Sequence, residues 1–189
     1  MYRKSLLSLF LVFVLSTVIL LGQTGKSVAE VIKSGYSVKS FSSDPVSDND
    51  VKTILECGMK APSAMNKQPW KFTVVKDNAL GASIVKNFTQ GNVLIVVSGA
   101  ESPTPGASVE FDCGLATQNM YIAAEGLGLG AHIYASPVRD VNETKKQALG
   151  IPDGYKAISV LRIGHIDKSV DATSAASSRK NADDVVIYK

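Results

Sequence analysis

The sequence predicts an α+β fold, a three-layer α/β/α sandwich with helices on both faces of one sheet. Three observations carry that expectation. Residues 93–97 are a short, wholly apolar run, as a strand buried on both faces requires. Residues 109–127 form a long helical stretch that is apolar on several faces, through Leu115, Ala116, Met120, Ile122, Ala123 and Ala124, which suits a central, covered helix. Helices and strands mix without a regular βαβ repeat, which disfavours a doubly wound sheet.

The remaining elements follow in order. Residues 31–36 continue a short helix begun near Ser27. Ser47 or Asp48 caps the next helix, whose Val51, Ile54, Leu55, Gly58 and Met59 share one face, and Pro62 ends it. Residues 72–75 read as a strand, 80–87 as a helix, and 101–108, with Pro103, Pro105 and Gly106, as a loop. Residues 131–134 are a short extended segment, 142–149 a helix stopped by Gly150 and Pro152, and 157–164 a strand. Residues 169–178, rich in Ser and Ala without periodicity, read as an extended arm.

The 189 residues carry a formal charge of +3, and its distribution matters more than its size. Arg3, Lys4 and Lys26 are the only charges before Glu30, so the leader holds the whole excess and the remainder is balanced. That balance argues against a nucleic-acid surface. Residues 5–25 are uncharged and almost wholly apolar behind the basic Tyr2-Arg3-Lys4. Residues 1–29 therefore read as a signal peptide or N-terminal membrane anchor, with Ser27-Val28-Ala29 as a cleavage site and residues 30–189 as one domain. On that reading the domain lies outside the cytoplasm and meets a membrane only through residues 5–25.

Cys57 and Cys113 could form one disulfide in an exported protein, but both fall inside predicted helices among apolar neighbours and read as buried free thiols. His132 and His165 are isolated, and no cluster has metal-ligand spacing. Gly126-Leu127-Gly128-Leu129-Gly130 is not a dinucleotide fingerprint, because a helix precedes it and an extended segment follows. It reads as a glycine-rich helix end feeding a strand, where backbone can approach a flat ring. Ser37-Val38-Lys39 is either a plain loop or a hydroxyl and a cation offered to an anionic ligand. Asn66 is either a turn residue or an amide offered to the edge of a heterocycle. Asn87-Phe88-Thr89 and Asn142-Glu143-Thr144 fit the short glycosylation sequon.

Several blocks together resemble the nitroreductase family. Residues 35–41 match its Arg-x-Ser-x-(Arg/Lys)-x-Phe motif, and Asp44-Pro45-Val46-Ser47 matches the segment leading into the next helix. Residues 61–70, Ala-Pro-Ser-Ala-Met-Asn-Lys-Gln-Pro-Trp, match its Ala-Pro-Ser-x-x-Asn-x-Gln-Pro-Trp motif. Residues 112–120 look like its central helix and 126–130 like the crossing after it. Arg179, followed by Asp183-Asp184-Val185-Val186, resembles its C-terminal phosphate arm.

The resemblance implies a mixed, mostly antiparallel sheet and a homodimer with FMN at the subunit interface. It places Ser37, Val38 and Lys39 on the FMN, with Lys39 near the N1/O2 edge. Pro62, Ser63 and Asn66 would lie along the ring and ribityl chain, backbone near Tyr134 and Ala135 would face N5 and O4, and Arg179 would reach the phosphate. The implied activity is ping-pong hydride transfer from NAD(P)H through flavin N5 to a small acceptor such as a nitroaromatic or quinone, with no catalytic side chain and no metal. Two cations of the family pattern are replaced here, by Gly35 and Ser177, although Lys33 or Lys180 could substitute. The alternative is a weakly flavin-binding scaffold of the same fold without turnover.

Overall fold

In the computed structural model, residues 25–101, 108–170 and 178–189 are described. In chain order they form α1 (Val28–Ser34), α2 (Asp48–Met59), β1 (Trp70–Val75), α3 (Asn78–Ile84), β2 (Val93–Ala100), α4 (Val109–Gly126), β3 (Gly130–Tyr134), α5 (Val138–Asp140) and β4 (Tyr155–Gly164). The four strands pair antiparallel in the order β1-β2-β4-β3.

Alternation along β2 shows why the layers number three. Val93, Ile95 and Val97 point into one apolar cluster with residues of α2 and α4. Leu94 and Val96 point into a second cluster with Ile84 of α3 and Val141 beyond α5. Residues 93–97 meet an apolar cluster on each face, hence the unbroken apolar run there, and the first polar side chain of β2 is the buried Ser98.

Local chemistry sets the helix starts. Ser27 caps α1 in a reciprocal box with Glu30, so the triplet read as a cleavage site is built into a helix start. Ser47 caps α2 by accepting from Asp50 N–H at 3.0 Å. Asp77 caps α3, which starts at Asn78 and stops at Ile84, ahead of the expected 80–87, and Asn87 takes a left-handed φ of 64°. The expected 142–149 helix is instead α5 followed by a π turn over Val141–Lys145. Asn142 within it is bonded to both backbone groups of Ala157, at 3.0 and 2.7 Å, so this sequon asparagine ties the turn to β4.

The expectation for α4 needs adjustment. Val109, Asp112, Cys113, Ala116, Thr117, Met120 and Ala124 form one buried stripe. Phe111 remains 64% exposed, and Ile122 and Ala123 line an open groove with Val28, Val31 and Met59. In one chain the helix is covered along a single face. The expected loop residues 102–107 and most of the expected arm, 171–177, lie outside the described residues.

Candidate functional site

The loop between α2 and β1 is pinned from below. Asp112, buried in the first turn of α4, accepts from the Ala64 N–H with both carboxylate oxygens at 3.2 Å. Ser63 Oγ accepts from Gln68 N–H at 3.0 Å, and Gln68 Nε2 donates to Asn66 Oδ1 at 3.2 Å. Met65, Asn66 and Gln68 hold φ values of 52°, 53° and 46°. Left-handed non-glycine residues of this kind carry strain on the order of 1 kcal/mol or more each, and such strain concentrates at ligand sites. The result is a fixed loop that exposes Pro62 and Asn66 and turns the Ser63 hydroxyl inward.

Residues 37–39 run as a strap along β3. Val38 N–H donates to Ala131 O at 3.0 Å, and Val38 O is 2.7 Å from His132 Nδ1, which therefore carries the proton. The Val38 side chain is buried against Gly130, where a Cβ would crowd its methyl groups. Extended backbone then leaves Ser37 and Lys39 on the outer side, both exposed. Beyond them Phe41 bridges to Ile166 and lies 4.2 Å from the Arg162 guanidinium. Arg162 is itself buried on β4, donating to Asn92 Oδ1 at 2.9 Å and Thr89 Oγ1 at 3.0 Å, and burial lowers its pKa. His132 and Tyr134 stack at 4.2 Å beside this cation, and Ala135 is exposed where β3 ends.

A third group gathers at the far end of α4. Glu125 Oε1 accepts from Tyr36 N–H at 3.2 Å. Its Oε2 is buried and accepts no hydrogen bond from any described group. Tyr121 faces both the Glu125 carboxyl and Ser37, and Arg179 acts on it electrostatically. Burial raises the Glu125 pKa; burial and then the adjacent carboxyl push the Tyr121 phenol well above its usual range.

The structure brings Ser37, Val38, Lys39, Tyr134 and Arg179 into one neighbourhood and Pro62, Ser63 and Asn66 into another. β1 opens at Trp70, which pairs through Gly99 to Lys156, whereas Val38 lies on Ala131, the partner of Ile163. The two groups therefore stand about 20 Å apart along β4, at roughly 3.3 Å per residue. Within one chain, Asn66 and Lys39 do not share a ligand edge. Sequence reasoning missed Asp112, Glu125 and Arg162 as positioning residues.

The sequence profile of the nitroreductase family matches residues 32–87 and 79–165. An Archaeoglobus fulgidus protein named for NADH dehydrogenase/NAD(P)H nitroreductase is 32% identical over 145 residues, covering 72% of this chain and 83% of that protein. A nitroreductase with bound FMN from Bacteroides fragilis superposes with a TM-score of 0.72 at 22% identity, over 87% of this chain and 100% of its own. A nitroreductase-like protein in complex with FMN from Desulfovibrio desulfuricans gives 0.74 at 26% identity, over 88% and 98%.

The solved relatives correct the expectation of an exported or membrane-anchored domain. Among the described residues no helix is long and apolar enough to cross a membrane. The solved relatives are matched over 98% and 100% of their length by part of this chain, so their fold is complete without a counterpart for the rest. Residues 1–24 lie outside the described residues. On the family match, the relatives and the shared fold, this chain belongs to the nitroreductase family of flavin-dependent NAD(P)H oxidoreductases.

Proposed function

We propose that the protein is an FMN-dependent oxidoreductase that takes hydride from NAD(P)H and delivers it to a small acceptor, a nitroaromatic, a quinone or a similar oxidant. We place its active site between two copies of the chain. The observation that carries this is the separation of the two candidate groups. The loop bearing Asn66 and the strap bearing Lys39 lie at opposite ends of the sheet, so one flavin meets both only if they come from different subunits. The uncovered side of α4 supports the same reading. Its groove of about 770 Å³ is lined by Val28, Met59, Ile122 and Ala123, an apolar face that a second copy would cover.

When bound, FMN supplies hydride chemistry at N5. The protein groups hold and tune. Lys39 presents a cation to the pyrimidine edge, where negative charge develops on reduction. Asn66 would offer both donor and acceptor to the same edge, Pro62 and Ser63 would hold the ring, and backbone at Tyr134 and Ala135 would face its N5 side. Ser37 and Arg179 receive the phosphate. No protein acid or base is required.

Subunit complementation tests the shared site. Lys39→Ala and Asn66→Ala proteins are unfolded, mixed and refolded together. Random pairing into symmetric dimers leaves about a quarter of the sites with both wild-type residues, so an FMN titration should resolve that fraction at wild-type affinity. A mixture that behaves as the sum of its parents places both residues in one chain's site and overturns the reading. The scaffold alternative has one observation in its favour, the carboxyl of Glu125 where a cation is expected. A protein that takes up FMN yet never oxidises NADH would decide for it.

A further inference from the structure

Gly35 stands where the family pattern has arginine, and nothing in its backbone requires glycine. Its φ of −67° and ψ of 142° are extended and open to any residue. What fills the side-chain direction is Glu125: a Cβ at position 35 would run into that carboxyl. Glu125 sits in the last turn of α4, where the helix dipole disfavours an anion and no basic residue offsets it.

The groups facing this carboxyl are few. From the chain on either side of α1 come Tyr36 N–H, bonded to Oε1, and Lys26, which attracts from a distance while its Nζ donates to Ser34 at 3.0 Å. From α4 comes the Tyr121 hydroxyl, which also faces Ser37 and feels Arg179. Oε2 has no partner among the described groups. Glu125 thus touches residues 35 and 36, immediately before Ser37, with the Tyr121 hydroxyl facing both the carboxyl and Ser37. A phosphate brought to Ser37 and Arg179 meets a like charge across one phenol unless Glu125 is neutral.

We infer that Glu125 is a specificity-determining residue at the phosphate end of the cofactor site. FMN is accepted with the Glu125 carboxyl in its neutral form, so the preference for FMN over riboflavin is linked to uptake of a proton. This rests on the placement of Ser37 and Arg179 at the phosphate. Burial raises the proton affinity of Glu125 in the same direction.

The test measures FMN and riboflavin dissociation constants by flavin fluorescence from pH 5 to pH 8.5, for wild type, Glu125→Gln and Arg179→Ala. The phosphate's own second ionisation, at about pH 6, is present in both proteins, so the Glu125→Gln profile is the baseline against which wild type is read. The expected ratio of wild-type to Glu125→Gln FMN dissociation constants is smallest at pH 5. It rises to about tenfold or more at pH 8, the change that a one-unit shift in the carboxyl's pKa produces. The riboflavin ratio should stay near one throughout. A pH-independent FMN ratio, or an equal trend for riboflavin, overturns the inference while a selective FMN defect in Arg179→Ala leaves the phosphate assignment standing. If Arg179→Ala weakens neither ligand selectively, the phosphate assignment and this inference both fail.

Discussion

Gly35 and Glu125 occupy one slot: the helix carboxyl fills the space that a side chain at position 35 would enter. Because only the far end of a flexible side chain is in the way, a larger residue at 35 can displace it. Gly35→Arg should place a guanidinium beside the unpartnered Oε2, forming a half-buried ion pair. FMN affinity at pH 8 should rise about tenfold, in keeping with a charge-assisted pair of roughly 1.5–3 kcal/mol partly offset by desolvation. An unchanged dissociation constant would show that position 35 does not reach the cofactor.

Glu125 also makes stability depend on pH. Its folded pKa lies above the ordinary value of 4.5, with burial the chief cause. Between those two values the native state binds more protons than the unfolded state, so stability falls as pH rises through the window. Glu125→Gln retains an acceptor for Tyr36 N–H and removes the titration. Its Tm should equal that of wild type near pH 4 and exceed it at pH 8. Solvent screening of a half-exposed group keeps the gap to about 1–3 °C. Thermal unfolding of apoprotein at the two pH values measures it.

Asp112 holds the Asn66 loop through Ala64 N–H. Asp112→Ala leaves that amide unpaired and should destabilise the fold by about 1–2 kcal/mol. Flavin uptake should fall more than this alone explains, since Pro62 and Asn66 lose their support. Asp112→Asn keeps one acceptor and should lie between. Denaturant unfolding and FMN titration of both variants check the order.

Lys39 and Asn66 should act on different steps. Asn66→Ala removes neutral hydrogen bonds of roughly 0.5–1.5 kcal/mol each and should chiefly weaken FMN retention. Lys39→Ala removes a charge whose value grows on reduction, so the bound-flavin potential should fall by tens of millivolts, with about 30 mV equivalent to 1.4 kcal/mol for two electrons. Spectroscopic redox titration reads it; no shift would move Lys39 away from N1/O2.

The two thiols should separate by reactivity. Burial, then the charges of Asp112 and Glu110, raises the Cys113 pKa to about 12. Cys57 is half-buried beside the α4 groove. A disulfide reagent at pH 8 should leave Cys113 unmodified in the native protein and reach Cys57 only as the subunits separate, since in the proposed dimer a second copy covers the groove beside it. Both should react at comparable rates in denaturant.

The sequence by itself determined what short-range chemistry controls. The apolar run 93–97 became the body of the central strand β2, Ser47 became a cap, and Gly128 turned α4 into β3 with a φ of 78°. The Asn66 and Ser37 blocks were legible because each is a short run of residue types at fixed spacing. Only the tertiary structure decided which of them meet. Asp112 finds Ala64, Glu125 finds Tyr36 and Arg162 finds Asn92 across 48, 89 and 70 residues. Such contacts leave no periodic trace in the chain, because a buried polar group needs one partner, and the fold, not the neighbouring sequence, supplies it.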